Sequence, residues 1–102
     1  MTLHRVHPGD ILSEELTELG ITPSALARQL RMPHNRFTQI IQCKSAITGD
    51  TALRLGHWFG TSPAFWMNLQ SLHDLRLAET HVGSEVATLP PRGNPSSPRY
   101  QP

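Results

Sequence analysis

Apolar residues recur along this chain at three- and four-residue spacings and nowhere in sustained alternation, which is the mark of amphipathic helices. Glycine and proline cut the pattern into five segments. The first, about Gly9 to Leu19, repeats Ile11, Leu12, Leu16 and Leu19, carries Asp10 near its start and is stopped by Gly20. The second begins with Thr22 as N-cap and Pro23 at the first helical position, sets Leu26, Ala27 and Leu30 on one stripe, and ends near Arg31. Pro33 opens the third, in which Phe37, Ile40 and Ile41 face inward while His34, Asn35, Arg36, Thr38, Gln39 and Gln42 face outward or flank. The fourth runs from about Gly49 to Phe59 behind Thr48 as cap, with Asp50 suited to the helix dipole. Its buried side is expected to hold Ala52, Leu53, Leu55, Gly56 and Phe59, and Gly60 ends it. Ser62 and Pro63 start the fifth, which carries Phe65, Trp66, Leu69, Leu72 and Leu75 to about Ala78, with well-buried first turns. The pattern predicts an all-α fold of five helices.

Beyond Thr80 the chain reaches the run Pro90-Pro91-Arg92-Gly93-Asn94-Pro95-Ser96-Ser97-Pro98, which cannot bury enough apolar surface to offset the entropy of ordering. Residues 80–102 therefore read as a disordered, flexible tail and residues 1–79 as one folded domain. That tail explains why the apolar fraction is only 37 % in 102 residues. No run approaches the ~18 apolar residues of a membrane span, and the first residues lack the apolar stretch of a secretion signal. A single cysteine, Cys43, leaves no intrachain disulfide and suits a reducing cytoplasm.

Net charge is only +1, but it is unevenly distributed. From Pro8 to Ile21 the charged residues are all acidic: Asp10, Glu14, Glu15 and Glu18. From Thr22 to Arg54 there are Arg28, Arg31, Arg36, Lys44 and Arg54 against Asp50 alone. A polyanion is drawn to the second stretch.

Helices two and three are short and joined by a tight turn. Ala27 suits their close crossing, and Leu26, Leu30, Phe37 and Ile40 supply the contacts that hold the angle. Any helical hairpin has that much. The third helix is more particular, because its outward residues are Asn, Gln, Arg, His and Thr with no carboxylate among them, and these side chains hydrogen-bond base edges and phosphates. The stretch from Thr22 to Gln42 thus reads as a helix-turn-helix for the DNA major groove.

The chain resembles the phage-repressor-like helix-turn-helix proteins and, within them, the HigA antitoxins of bacterial toxin-antitoxin modules. The resemblance runs from about Val6 to Glu79 and rests on named strings. They are His7-Pro8-Gly9-Asp10-Ile11-Leu12, Leu26-Ala27-Arg28, Ala46-Ile47-Thr48, Ala52-Leu53-Arg54-Leu55, Gly60-Thr61-Ser62-Pro63-Ala64-Phe65-Trp66-Met67-Asn68-Leu69-Gln70 and Asp74-Leu75. It implies a five-helix homodimer that represses its own operon on double-stranded operator DNA and neutralises a HigB-type ribonuclease toxin. It further implies base or phosphate contacts from Thr22 and Ser24, from His34, Asn35, Arg36, Thr38 and Gln39, and from Lys44 and Ser45. Asn35, Arg36 and Gln39 are the candidates for base edges. The chain departs from the family at two positions: Arg31 stands where the turn commonly has glycine, and Gln42-Cys43-Lys44 replaces the frequent Asn-Gly-Lys. A non-glycine residue held at positive φ there costs on the order of 1 kcal/mol.

Other chemistry finds little support. The six histidines, His4, His7, His34, His57, His73 and His81, show no metal-ligand spacing, no cofactor motif occurs, and no catalytic grouping of Ser, His and Asp or Cys and His is indicated. The acidic first helix reads as a solvated face or as a surface that steers a basic toxin. The runner-up is a phage-like regulator without a toxin, and a protein-only helical adaptor comes third.

Overall fold

A helix begins where its unpaired N–H groups find an acceptor, and four of the five helices here begin on a side-chain cap. The computed structural model describes residues 7–93. They form α1 (Pro8–Leu19), α2 (Pro23–Leu30), α3 (His34–Ile41), α4 (Gly49–Phe59) and α5 (Pro63–Ala87), with no strand among the described residues. Thr22 Oγ1 accepts from the Ala25 N–H at 3.1 Å, Thr48 Oγ1 from Thr51 at 3.3 Å and Ser62 Oγ from Phe65 at 3.2 Å. His7 does the same for α1, its Nδ1 accepting from the Gly9 N–H at 2.9 Å. Only α3 lacks a side-chain cap; Pro33, expected from sequence to open the helix, is its N-cap residue, and the helix itself begins at His34.

The first three helices end alike. In each, a residue in the left-handed region closes paired bonds onto the last turn: Gly20 at φ 70°, Arg31 at φ 58° and Cys43 at φ 63°. After α2 the Arg31 and Met32 N–H groups reach the Arg28 and Ala27 carbonyls, and after α3 those of Cys43 and Lys44 reach Ile40 and Gln39. The two departures from glycine therefore keep the turn geometry and bear its strain.

Leu12 and Leu16 of α1, Leu26, Ala27 and Leu30 of α2, Phe37 and Ile40 of α3, Ala52 and Leu55 of α4 and Trp66 of α5 form one core, joined by Met32 and Ile47 from the connections. Three expectations about packing need correcting. Leu53 is 62 % exposed, because the buried stripe of α4 is Ala52, Leu55 and Gly56, with Thr51 buried beside it. Phe65 is 43 % exposed, and only its neighbour Trp66 enters the core, with the indole N–H donating to Thr61 Oγ1 at 3.0 Å. Helix α5 does not stop near Ala78 but runs to Ala87, so the first part of the expected tail is helical. No proline interrupts it before Pro90, whose ring cannot continue a helix. The proline- and serine-rich run from Asn94 lies outside the described residues, as do His4 and Val6.

Replacing Arg31 by Gly should raise stability by about 1 kcal/mol, since glycine adopts the same φ without the Cβ penalty. Urea unfolding of the two proteins checks it, and an unchanged or lower midpoint would show the turn to be unstrained.

Candidate nucleic-acid interface

Burial of Phe37 and Ile40 orients α3, and the arc opposite them carries Asn35, Gln39 and Gln42 at i, i+4 and i+7. All three side chains are exposed, with Thr38 half-buried beside them. The helix has no carboxylate, so nothing on this arc repels a phosphate. Asn35 makes no side-chain hydrogen bond within the described residues, which leaves both its amide donor and acceptor for a ligand. Gln39 is held from behind: its Oε1 accepts from Ser45 Oγ at 3.0 Å, and its carbonyl takes the Lys44 and Ser45 N–H groups at 2.8 and 3.3 Å. That contact joins three of the expected site residues at the end of α3. His34 Nε2 and Thr38 Oγ1 lie 3.4 Å apart on the flank. At the start of α2, Thr22 uses its hydroxyl as a cap, and Ser24 is exposed in the first turn, where helix N–H groups favour an anion.

Arg36 is placed differently from the other base-edge candidates. Its guanidinium turns toward the start of α4, donating to Thr51 Oγ1 at 3.4 Å and Thr48 Oγ1 at 3.5 Å, with Asp50 at 3.6 Å. Asp50 also takes both bonds from Arg54 Nε at 3.2 Å. Arg54 in turn donates through Nη1 to the Leu30 carbonyl at 2.9 Å, satisfying the C-terminus of α2. One carboxylate thus engages two of the five basic residues of the sequence stretch, and Arg28, Arg31 and Lys44 are those outside any ion pair among the described residues.

No family model matches the chain. Known structures and curated proteins do. An addiction module antidote protein of a HigA family from Coxiella burnetii superposes with a TM-score of 0.81 at 44 % identity, over 83 % of this chain and 95 % of that one. The antitoxin HigA of Pseudomonas aeruginosa, solved with the higBA promoter, gives 0.80 at 41 % identity over 84 % and 96 %. Virulence-associated protein I of Dichelobacter nodosus is 43 % identical across 72 % of this chain and 69 % of its own. The chain belongs to the HigA family. It is thereby a helix-turn-helix protein of the antidote type, and none of its described helices is long and apolar enough to cross a membrane.

Membership of the HigA family makes the buried polar groups outside the reading face informative, because sequence reasoning assigned them no role. His7, 5 % exposed, stacks edge-on against His73 of α5 with ring centroids 4.7 Å apart. Gln70, also 5 % exposed, accepts the Ile47 N–H on Oε1 at 2.7 Å and donates through Nε2 to Asp74 at 3.0 Å. One signal pointed to it: an amide four residues from Trp66, on the stripe where the pattern demands an apolar residue. Gly9 meets the end of α3 so closely that a Cβ there would overlap the Ile40 carbonyl oxygen.

Burial, then the proximity of His73, holds the His7 imidazole below its ordinary value of 6.5, against the opposing pull of Asp10, Asp74 and the Ser45 backbone. A base with a depressed folded pKa leaves the unfolded chain binding more protons. Its contribution to stability is therefore present above 6.5 and is lost as pH falls from there through the folded value. His7→Asn keeps a capping acceptor and should flatten the fall in urea midpoint between about pH 7 and pH 5. An undiminished slope would place the acid sensitivity elsewhere.

Proposed function

We propose that this chain is a sequence-specific DNA-binding repressor that works as a homodimer and as the antitoxin of a HigBA-type module, controlling its own operon in the cytoplasm. The observation that carries the DNA reading is the carboxylate-free arc of Asn35, Gln39 and Gln42 on a helix held by its opposite face. Family membership supports it, since the Pseudomonas aeruginosa relative was solved with promoter DNA. Asn35 and Gln39 read base edges in the major groove; Thr22, Ser24, Lys44 and Ser45 hold phosphates; His34 and Thr38 flank. Arg36 reaches a base only by leaving Asp50, and otherwise it ties α3 to α4.

A recognition helix of eight residues reads few base pairs, so two copies are needed on a palindrome. Helix α5 offers the means. Its exposed Leu72, Leu75, Val82 and Val86, continued by Leu89, repeat with the spacing of a coiled-coil seam that Glu79 alone interrupts. Among the described residues of a single copy nothing covers this seam, with Leu75 at 63 % and Val86 at 53 % exposure, and a second α5 covers it.

Operator affinity should fall steeply with salt, with a log-log slope of about −0.9 per phosphate neutralised. Lys44→Ala should weaken operator and random duplex alike and reduce that slope by about 1, whereas Asn35→Ala should cost about 1–3 kcal/mol at a single base pair. Footprinting of upstream DNA with gel-shift titrations checks both, and affinity indifferent to salt would remove the DNA reading.

The antitoxin part rests on the family and on the acids of α1. Asp10 sits within reach of Cys43 Sγ, at 3.5 Å beside the end of α3, so the surface open to a basic ribonuclease is Glu14 and Glu18 with half-buried Glu15. Changing those three to Gln should slow association with the toxin encoded beside this gene, most at low salt, and spare operator binding. Unchanged association would move the toxin contact off α1, and failure of any neighbouring product to co-purify would leave a stand-alone repressor.

A further inference from the structure

The connection from α3 to α4 holds Lys44 and Ser45, yet its interior is secured not by its own helices but by α5. Ile47 is 3 % exposed and its N–H has no helical acceptor; the Gln70 side chain supplies one at 2.7 Å. The bond from Gln70 Nε2 to Asp74 fixes which way that amide points. One turn further along α5, His73 packs on His7, whose ring lies against the Ser45 backbone. Ser45 then holds Gln39 at 3.0 Å. Two attachments on one face of α5 thus end on the segment that buttresses the reading helix, while the rest of α5 carries the apolar seam.

We propose that Gln70 is a positioning residue that locks the reading helix to α5 and thereby sets the half-site spacing the dimer accepts. The inference rests on the operator-binding dimer proposed above. Since α5 is a single unbroken helix, an angle fixed at Gln70 is carried along the rod of about 26 Å that remains to Ala87 and so to the partner's copy. Without the bond, the buried Ile47 N–H is left unpaired and the segment shifts to satisfy it. Each head then keeps its base contacts but loses its fixed distance from the other.

The test uses Gln70→Met, which keeps side-chain length and removes the acceptor, and the double change Gln70→Glu with Asp74→Asn, which keeps an acceptor for the Ile47 N–H and reverses donor and acceptor between positions 70 and 74. Each full-length protein is titrated against a selected operator, the same operator with one base pair inserted or removed between half-sites, and an isolated half-site. Wild type should prefer its own spacing by about tenfold or more. Gln70→Met should bind the half-site within about twofold of wild type but lose most of that preference, and the double variant should regain it. Preference kept in Gln70→Met, or half-site and operator binding lost in equal proportion, overturns the proposal. If Gln70→Met does not fold, Asp74→Ala, which frees the amide without removing it, should weaken the preference; an unaltered preference then overturns it. A wild-type protein indifferent to spacing instead sinks the operator-dimer reading beneath it.

Discussion

Everything in this fold serves a helix too short to exist alone. Helix α3 has eight residues and no side-chain cap, well under the length at which an isolated helix is stable in water. Its position is imposed by burial of Phe37 and Ile40, and its ends are pinned from outside. At the start, α2 delivers the chain through the Arg31 turn; at the finish, Gly9 of α1 lies against the Ile40 and Ile41 carbonyls, where no larger residue fits. Dependence on tertiary contact is what lets such a helix give its whole outer face to polar side chains. A self-sufficient surface helix would need Glu and Lys pairs there, and the Glu would repel DNA.

The helical periods made the five elements and most of the core legible, because Leu12, Leu26, Phe37, Leu55 and Trp66 each sit on an unmistakable stripe. Periodicity names a stripe but not its width. Leu53 flanks the α4 stripe and faces water, while the hydroxyl of Thr51, which the pattern passed over, lies inside. The end of α5 was missed for a related reason. Leu72, Leu75, Val82 and Val86 keep core spacing, yet nothing among the described residues covers them, so no packing contact marks where the helix ends. Nor could charge counted along the chain show that Asp50 engages both Arg36 and Arg54, a fact that depends on the crossing of α3 and α4.

The residues that carried the family resemblance lie mostly away from the reading face. His7 caps α1, Gly9 permits the approach to α3, Trp66 fills the core and Gln70 secures Ile47. Their common property is geometric constraint: each sits where two elements meet and where one residue type meets both the space and the hydrogen-bond demand. The side chains of the α3 arc face solvent and, apart from the Gln39 bond to Ser45, meet no such constraint from the fold. A family signature read from such joints therefore identifies the scaffold better than it identifies the operator.

This division bears on how the protein distinguishes sequences. Base contacts from one short helix supply only a few kcal/mol of discrimination, since each bidentate pair is worth about 1–3 kcal/mol. The remainder must come from requiring two heads to engage at once, and that requirement is as strict as the scaffold between them is stiff. Buried polar bonds suit this purpose better than apolar packing does. An apolar contact slides at little cost, whereas a displaced Gln70 amide leaves the Ile47 N–H unpaired in the interior. The polar joints at His7 and Gln70 thus convert a few base contacts per protomer into a measure of distance along the DNA, so that the stiffness of α5 becomes part of the specificity of α3.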